Sequence, residues 1–190
     1  WAVALGAFLG GMLGAKLPFV LLDWERLASG AAWLDGGKTI VTGLPGGYLG
    51  VELAKRAVGL RAKTGDALAA PLAVALAVGR LACFTGGCCY GLATSLPWGV
   101  DFGDGVRRHP TQLYEAAFHA LAALGLLALR RRGRCPTNLV KLYIVAYLVF
   151  RIGTEALRPE PRLVAGLTLY QAAALLEIPV FLALALHDAR

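Results

Sequence analysis

The chain has 190 residues, 57% of them hydrophobic and only 16% charged, with a mean hydropathy of +0.61, whereas soluble domains carry about 25% charged residues. Its apolar residues gather in blocks of about 17–22, the length that carries a helix across roughly 30 Å of hydrocarbon, which excludes an ordinary soluble globule. The net charge of +7 is spread over short loops without interleaved aromatics, so it speaks against a nucleic-acid surface and for the excess of Lys and Arg on the inner side of membrane proteins.

In chain order the apolar blocks predict six membrane helices, over residues 1–22, 43–60, 66–85, 111–129, 138–157 and 167–187. The expected fold class is therefore all-α, a polytopic transmembrane bundle forming one integral membrane domain over 1–190, with the loop 86–110 contributing to a site. A further helix ahead of Trp1 would make seven spans. The two tight basic junctions, one with Lys55, Arg56, Arg61 and Lys63 and the other with Arg130, Arg131, Arg132 and Arg134, belong on the cytoplasmic side. The remaining loops dilute Arg26, Lys38, Arg107, Arg108, Arg158 and Arg162 with Glu25, Asp35, Asp101, Asp104 and Glu160, and belong outside.

This topology assigns a depth to each ionisable side chain. Arg80 falls near the outer end of the third helix, and Arg151 and Glu155 near the outer end of the fifth, with Tyr147 one turn deeper. Gln112 and Glu115 enter with the first outer turns of the fourth helix, and Lys16 comes two turns before the end of the first. Charges inside a membrane are costly and usually mark function. Arg151 and Glu155, four apart, share a face and can pair. Two guanidiniums with a carboxylate at the outer interface suit a phosphate, because Arg presents planar bidentate donors. The phosphate available at that depth belongs to a phospholipid headgroup.

Other polar positions read more blandly. Glu52 is expected to pair with Arg56, and His119 to make a packing hydrogen bond. Glu177 precedes Pro179, which is expected to kink the last helix. In "TGLPGGYLG" Gly43, Gly46, Gly47 and Gly50 fit either close helix packing or anion-binding donors at a helix start. Cys83, Cys88 and Cys89 stand at the outer end of the third helix. A disulfide or inert small residues come first for them, redox chemistry second, and a metal site completed by His109 last, since the spacing matches no common zinc pattern. Cys135 is expected to be a free thiol.

Four segments together resemble the prolipoprotein diacylglyceryl transferase family: "GAKLPFVLLD" from Gly14, "GRLACFTGGCCYG" from Gly79 to Gly91, "HPTQLYE" over 109–115, and the Tyr147, Arg151, Glu155 spacing in "YLVFRIGTE". The resemblance implies a bacterial inner-membrane transferase, facing the outer leaflet, that moves a diacylglyceryl group from phosphatidylglycerol to the lipobox cysteine thiol at a prolipoprotein signal peptide. It implies no metal and no organic cofactor. It implies that Arg80 and Arg151 hold the lipid phosphate, that Glu155 orients Arg151, and that Tyr147 positions lipid or moves a proton. Lys16, Gly46, Gly47, Gly91, His109, Gln112 and Glu115 would line the substrate. The family's HGG histidine is absent from "TGLPGG", and its Asn and Glu are replaced by Cys83 and Cys88. Those departures leave open a related transferase with another acceptor, a membrane thiol oxidoreductase, or a lipid-binding subunit without chemistry.

Overall fold

A computed structural model describes residues 1–22, 37–164 and 166–189. Glu25, Arg26 and Asp35 of the first loop lie outside the described residues. The described chain forms six α-helices: α1 Ala2–Leu22, α2 Ile40–Ala57, α3 Gly65–Thr85, α4 Thr111–Arg131, α5 Leu139–Thr154 and α6 Leu169–Asp188. Two compact units are built from them, Trp1–Ala62 and Lys63–Arg190.

Four helices, α1, α3, α4 and α6, are both long and apolar enough to cross a membrane. The other two are the 18-residue α2, with Glu52, Lys55 and Arg56 in its last turns, and the 16-residue α5, which is about 24 Å long. The distribution of polarity inverts that of a soluble protein. Leu121, Leu124, Leu176, Val180 and Leu186 are exposed, while Gln112, Glu115, His119, Lys141, Arg151 and Glu155 are buried. In hydrocarbon the apolar exterior costs nothing, and the polar groups must satisfy one another inside.

The first unit is a helix pair joined by glycines. A Cβ on Gly46 of α2 would stand 2.5 Å from the Gly10 carbonyl oxygen and 2.9 Å from Gly14 Cα of α1, so the two backbones touch. Small residues four apart on both helices, Gly6, Gly10 and Gly14 against Gly46 and Gly50, permit this approach. Where the helices start to pair, Thr42 Oγ1 donates to the Gly14 carbonyl at 2.6 Å. The predicted start of α2 at residue 43 is corrected to Ile40, because Thr39 caps the helix by accepting from the Val41 amide. Gly46 and Gly47 consequently sit inside the helical ladder rather than at its first turn. Glu52 pairs with Lys55 at 2.8 Å, not with Arg56.

In the second unit α3 packs on α4 and α6 on α5. The α5 start is held by Asp66 of α3, which accepts from the Thr137 and Leu139 amides at 2.6 and 3.0 Å. Beside it, buried Lys141 donates to Asp188 at 2.6 Å, to Asn138 at 2.7 Å and to the Thr137 carbonyl at 2.9 Å. At its other end α5 gives way to a 3₁₀ turn, Glu155–Leu157, where the sequence predicted helix throughout.

The loop 86–110 is structured. Strands β1 Val100–Asp101 and β2 Arg107–Arg108 pair antiparallel, and Asp101 Oδ1 accepts the Gly103, Asp104 and Gly105 amides of the connecting turn. Arg108 grips Asp104 through two nitrogens at 3.2 and 2.7 Å. Arg107 donates to the Pro97 and Gly99 carbonyls. Strands β3 Arg162–Val164 and β4 Leu167–Thr168 lead into α6, so that helix begins at Leu169 rather than 167. It is capped by a reciprocal Thr168–Gln171 box, and it continues through Pro179.

Candidate active site

The buried charges of the second unit converge on one carboxylate. Glu115, in the second turn of α4, receives Arg80 Nε of α3 at 2.7 Å on Oε2. Its Oε1 accepts Arg151 Nη1 of α5 at 2.8 Å and Arg158 Nη2 at 2.7 Å. Tyr147 Oη donates to Oε2 at a longer 3.4 Å. Arg151 turns its other terminal nitrogen to Glu155 Oε2 at 2.8 Å, and Glu155 Oε1 accepts the Thr168 hydroxyl at 2.9 Å. Since Thr168 also caps α6, the helix start and the charge cluster are mechanically one piece.

Charge counting gives the site its character. Arg80, Arg151 and Arg158 contribute three positive charges against two negative ones from Glu115 and Glu155, a surplus of one. Glu115 is 1% and Arg151 4% exposed, so these charges interact at low effective dielectric, where unpaired charge is most expensive. A single anion entering the cluster would neutralise it. Tyr170 lies under Arg151, its ring centroid 5.4 Å from the guanidinium carbon, and holds the guanidinium plane.

Behind Glu115 an aromatic stack carries the load. His119 stacks on Tyr147 with centroids 5.1 Å apart, and its Nδ1 is 2.8 Å from the Tyr143 hydroxyl. His119 is thus a hydrogen-bonded packing residue, as its sequence context indicated.

The structure brings together Arg80, Glu115, Tyr147, Arg151 and Glu155 among the sequence-predicted residues, and adds Arg158, which the loop count had set aside. A signal for it exists: 151, 155 and 158 are spaced four and three apart, a single helical face that the 3₁₀ turn prolongs. Glu115 is more central than its expected lining role. Three other candidates have partners that fasten the loop to the helices. Gln112 Nε2 donates to the Cys88 carbonyl at 2.5 Å, and His109 Nδ1 is 3.3 Å from the Tyr114 hydroxyl. Gly91 lies where a Cβ would stand 2.5 Å from the Leu157 carbonyl oxygen and 2.9 Å from His109 Cβ. Lys16, Gly46 and Gly47 belong to the first unit, where Lys16 is buried and Gly46 serves the helix contact.

Cys83, Cys88, Cys89 and Cys135 carry free thiols, and the Cys88 and Cys89 sulfurs are 3.5 Å apart. Partial burial and the hydrogen bond with Cys89 push the Cys88 thiol up to about 11.

Comparison with known proteins decides the family. The prolipoprotein diacylglyceryl transferase family model matches residues 1–187. The chain belongs to this family. A Geobacter sulfurreducens relative named phosphatidylglycerol–prolipoprotein diacylglyceryl transferase is 37% identical over 194 aligned positions, covering 96% of this chain and 72% of the relative. A Clostridium tetani relative of the same name is 33% identical over 170, covering 84% and 68%, and one from Clostridioides difficile 29% over 181, covering 93% and 73%. No solved structure matches the chain.

Proposed function

We infer that this protein is a multi-pass membrane transferase that moves a diacylglyceryl group from phosphatidylglycerol to the lipobox cysteine of a prolipoprotein signal peptide. The observation that carries the reading is the Arg80, Arg151 and Arg158 cluster on Glu115, with its surplus positive charge. It stands in a family whose named relatives act on those two substrates.

In the reaction the cysteine sulfur forms a bond to the glycerol carbon that carries the phosphate ester. The carbon–oxygen bond to phosphate breaks, and glycerol phosphate leaves with the electron pair. Negative charge grows on the departing phosphate, and prepositioned guanidiniums are most effective where charge develops. Arg80 and Arg151 hold the phosphate, and Arg158 joins them. Glu115 keeps the three cations together before lipid arrives and aims their remaining N–H groups. Glu155 fixes Arg151 from the far side, and Tyr147 positions Glu115 from beneath. The thiol proton passes to a base that "TGLPGG" does not supply as histidine.

The basic junctions at 55–63 and 130–134 orient the chain with this cluster toward the outer leaflet of a bacterial cytoplasmic membrane. Incubating the purified protein with labelled phosphatidylglycerol and a lipobox peptide tests the assignment. A diacylglyceryl-thioether peptide and free glycerol phosphate are expected; peptide recovered unmodified contradicts it.

A further inference from the structure

The transferase chemistry above leaves three thiols unused at the end of α3. Cys83, Cys88 and Cys89 place their sulfurs within 4.8 Å of one another, with Cys88 and Cys89 at 3.5 Å. We propose that they form a three-thiolate site for a soft monovalent cation, copper(I) in chemical class.

The geometry argues for the number of ligands and the type of ion. Three sulfurs about 2.3 Å from one ion in a trigonal plane stand about 4.0 Å apart, within the spread observed here. Structural zinc takes four ligands, and among the described residues no fourth His, Cys, Asp or Glu atom joins this group. Thiolates select soft ions, and copper(I) is content with three sulfurs.

The cluster is also prearranged rather than strung on a loose loop. The Cys88 amide donates to the Cys83 carbonyl at 3.1 Å, closing the turn after α3. Gln112 and Thr111 of α4 hold the Cys88 and Cys89 carbonyls at 2.5 and 2.8 Å. Cys89 adopts φ +64°, an αL backbone uncommon outside glycine, and its sulfur lies 3.5 Å from that of Cys88. Cys88 and Cys89 are exposed and Cys83 is partly exposed, so an ion can enter. On binding, each ligating thiol releases its proton to solvent and no electron moves.

The test uses the full chain, purified in detergent under an oxygen-free reductant, with copper(I) supplied from a coloured chelator. One copper(I) per chain should be withdrawn, and should protect three of the four cysteines from maleimide while Cys135 still reacts. Cys135→Ser should bind unchanged. Cys83→Ser, Cys88→Ser and Cys89→Ser should each weaken binding by more than the roughly tenfold to hundredfold that loss of an outer-shell partner costs. Failure to compete with the chelator, protection of fewer than three thiols, an equal loss in Cys135→Ser, or a mass short by two hydrogens from a disulfide among the three would each overturn the site. The wild-type protection pattern decides the matter even where a serine variant fails to fold.

Discussion

Arg158 Nη2 and Arg151 Nη1 meet on the same oxygen of Glu115, at 2.7 and 2.8 Å, although one lies in α5 and the other beyond its 3₁₀ turn. Two guanidiniums on one oxygen are tolerable because the Glu115 carboxylate lies between them and Glu155 offsets Arg151 from its other side. The Nε atoms of Arg151 and Arg158 are buried without a hydrogen-bond partner among the described residues. Arg158→Ala should therefore lower kcat by about 10²–10³, the scale of removing one prepositioned donor, with the protein still monodisperse in detergent. Transfer at wild-type rate would remove Arg158 from the phosphate site.

Glu115→Gln tests the organising role of the carboxylate. It keeps the shape and deletes the charge that gathers three cations, so mutual repulsion should open the cluster. Breaking a buried pair by removing one partner costs about 3–5 kcal/mol. Thermal unfolding in detergent should shift downward by many degrees and transfer should vanish; an unshifted melting curve contradicts the central position of Glu115.

At the opposite end of α5, Lys141 makes three hydrogen bonds while 2% exposed. Lys141→Met leaves Asp188 and two other acceptors underused and should destabilise by about 1–3 kcal/mol. Because no substrate group is near this end in the proposed mechanism, specific activity of the folded fraction should be preserved. A melting temperature equal to wild type would show the network to be energetically idle.

Gly46→Leu would force a side chain into the Gly10 and Gly14 backbone. Overpacking of this kind costs about 1–3 kcal/mol or more, and here the obstacle is main chain that cannot rotate aside. Reduced yield and earlier aggregation on size exclusion are expected, while Leu49→Ala on the exposed side of the same helix should behave as wild type.

Replacing Cys83, Cys88 and Cys89 together by serine should leave transfer intact, measured by thioether product per protein. Loss of product with retained folding would instead place the thiols in the reaction.

Much of this was legible in the sequence, and the failures have identifiable causes. Hydropathy blocks located the six helices among the described residues, because membrane span length is dictated by the bilayer. Depth bookkeeping brought Arg80, Glu115, Tyr147, Arg151 and Glu155 to one level, since ionisable groups in hydrocarbon have few places to go. It could not reveal that Glu115 is the common partner, because which face of α4 meets α3 and α5 is a packing outcome. Arg158 was hidden by the loop census, which treats every charge beyond a span as solvated. The α2 start was missed because a threonine cap outranked the glycine-rich segment as a boundary. Close packing was one of two readings of the α2 glycines, and the structure supplies their partners, Gly6, Gly10 and Gly14 of α1.

The central claim is that clustered guanidiniums hold the phosphodiester of phosphatidylglycerol while its glycerol carbon is transferred. The most direct measurement compares wild type, Arg80→Ala and Arg151→Ala for thioether product from labelled phosphatidylglycerol and a lipobox peptide, each variant first shown to be folded in detergent. Product from wild type and none from either variant is the predicted result. Undiminished product from a folded Arg80→Ala or Arg151→Ala protein would contradict it.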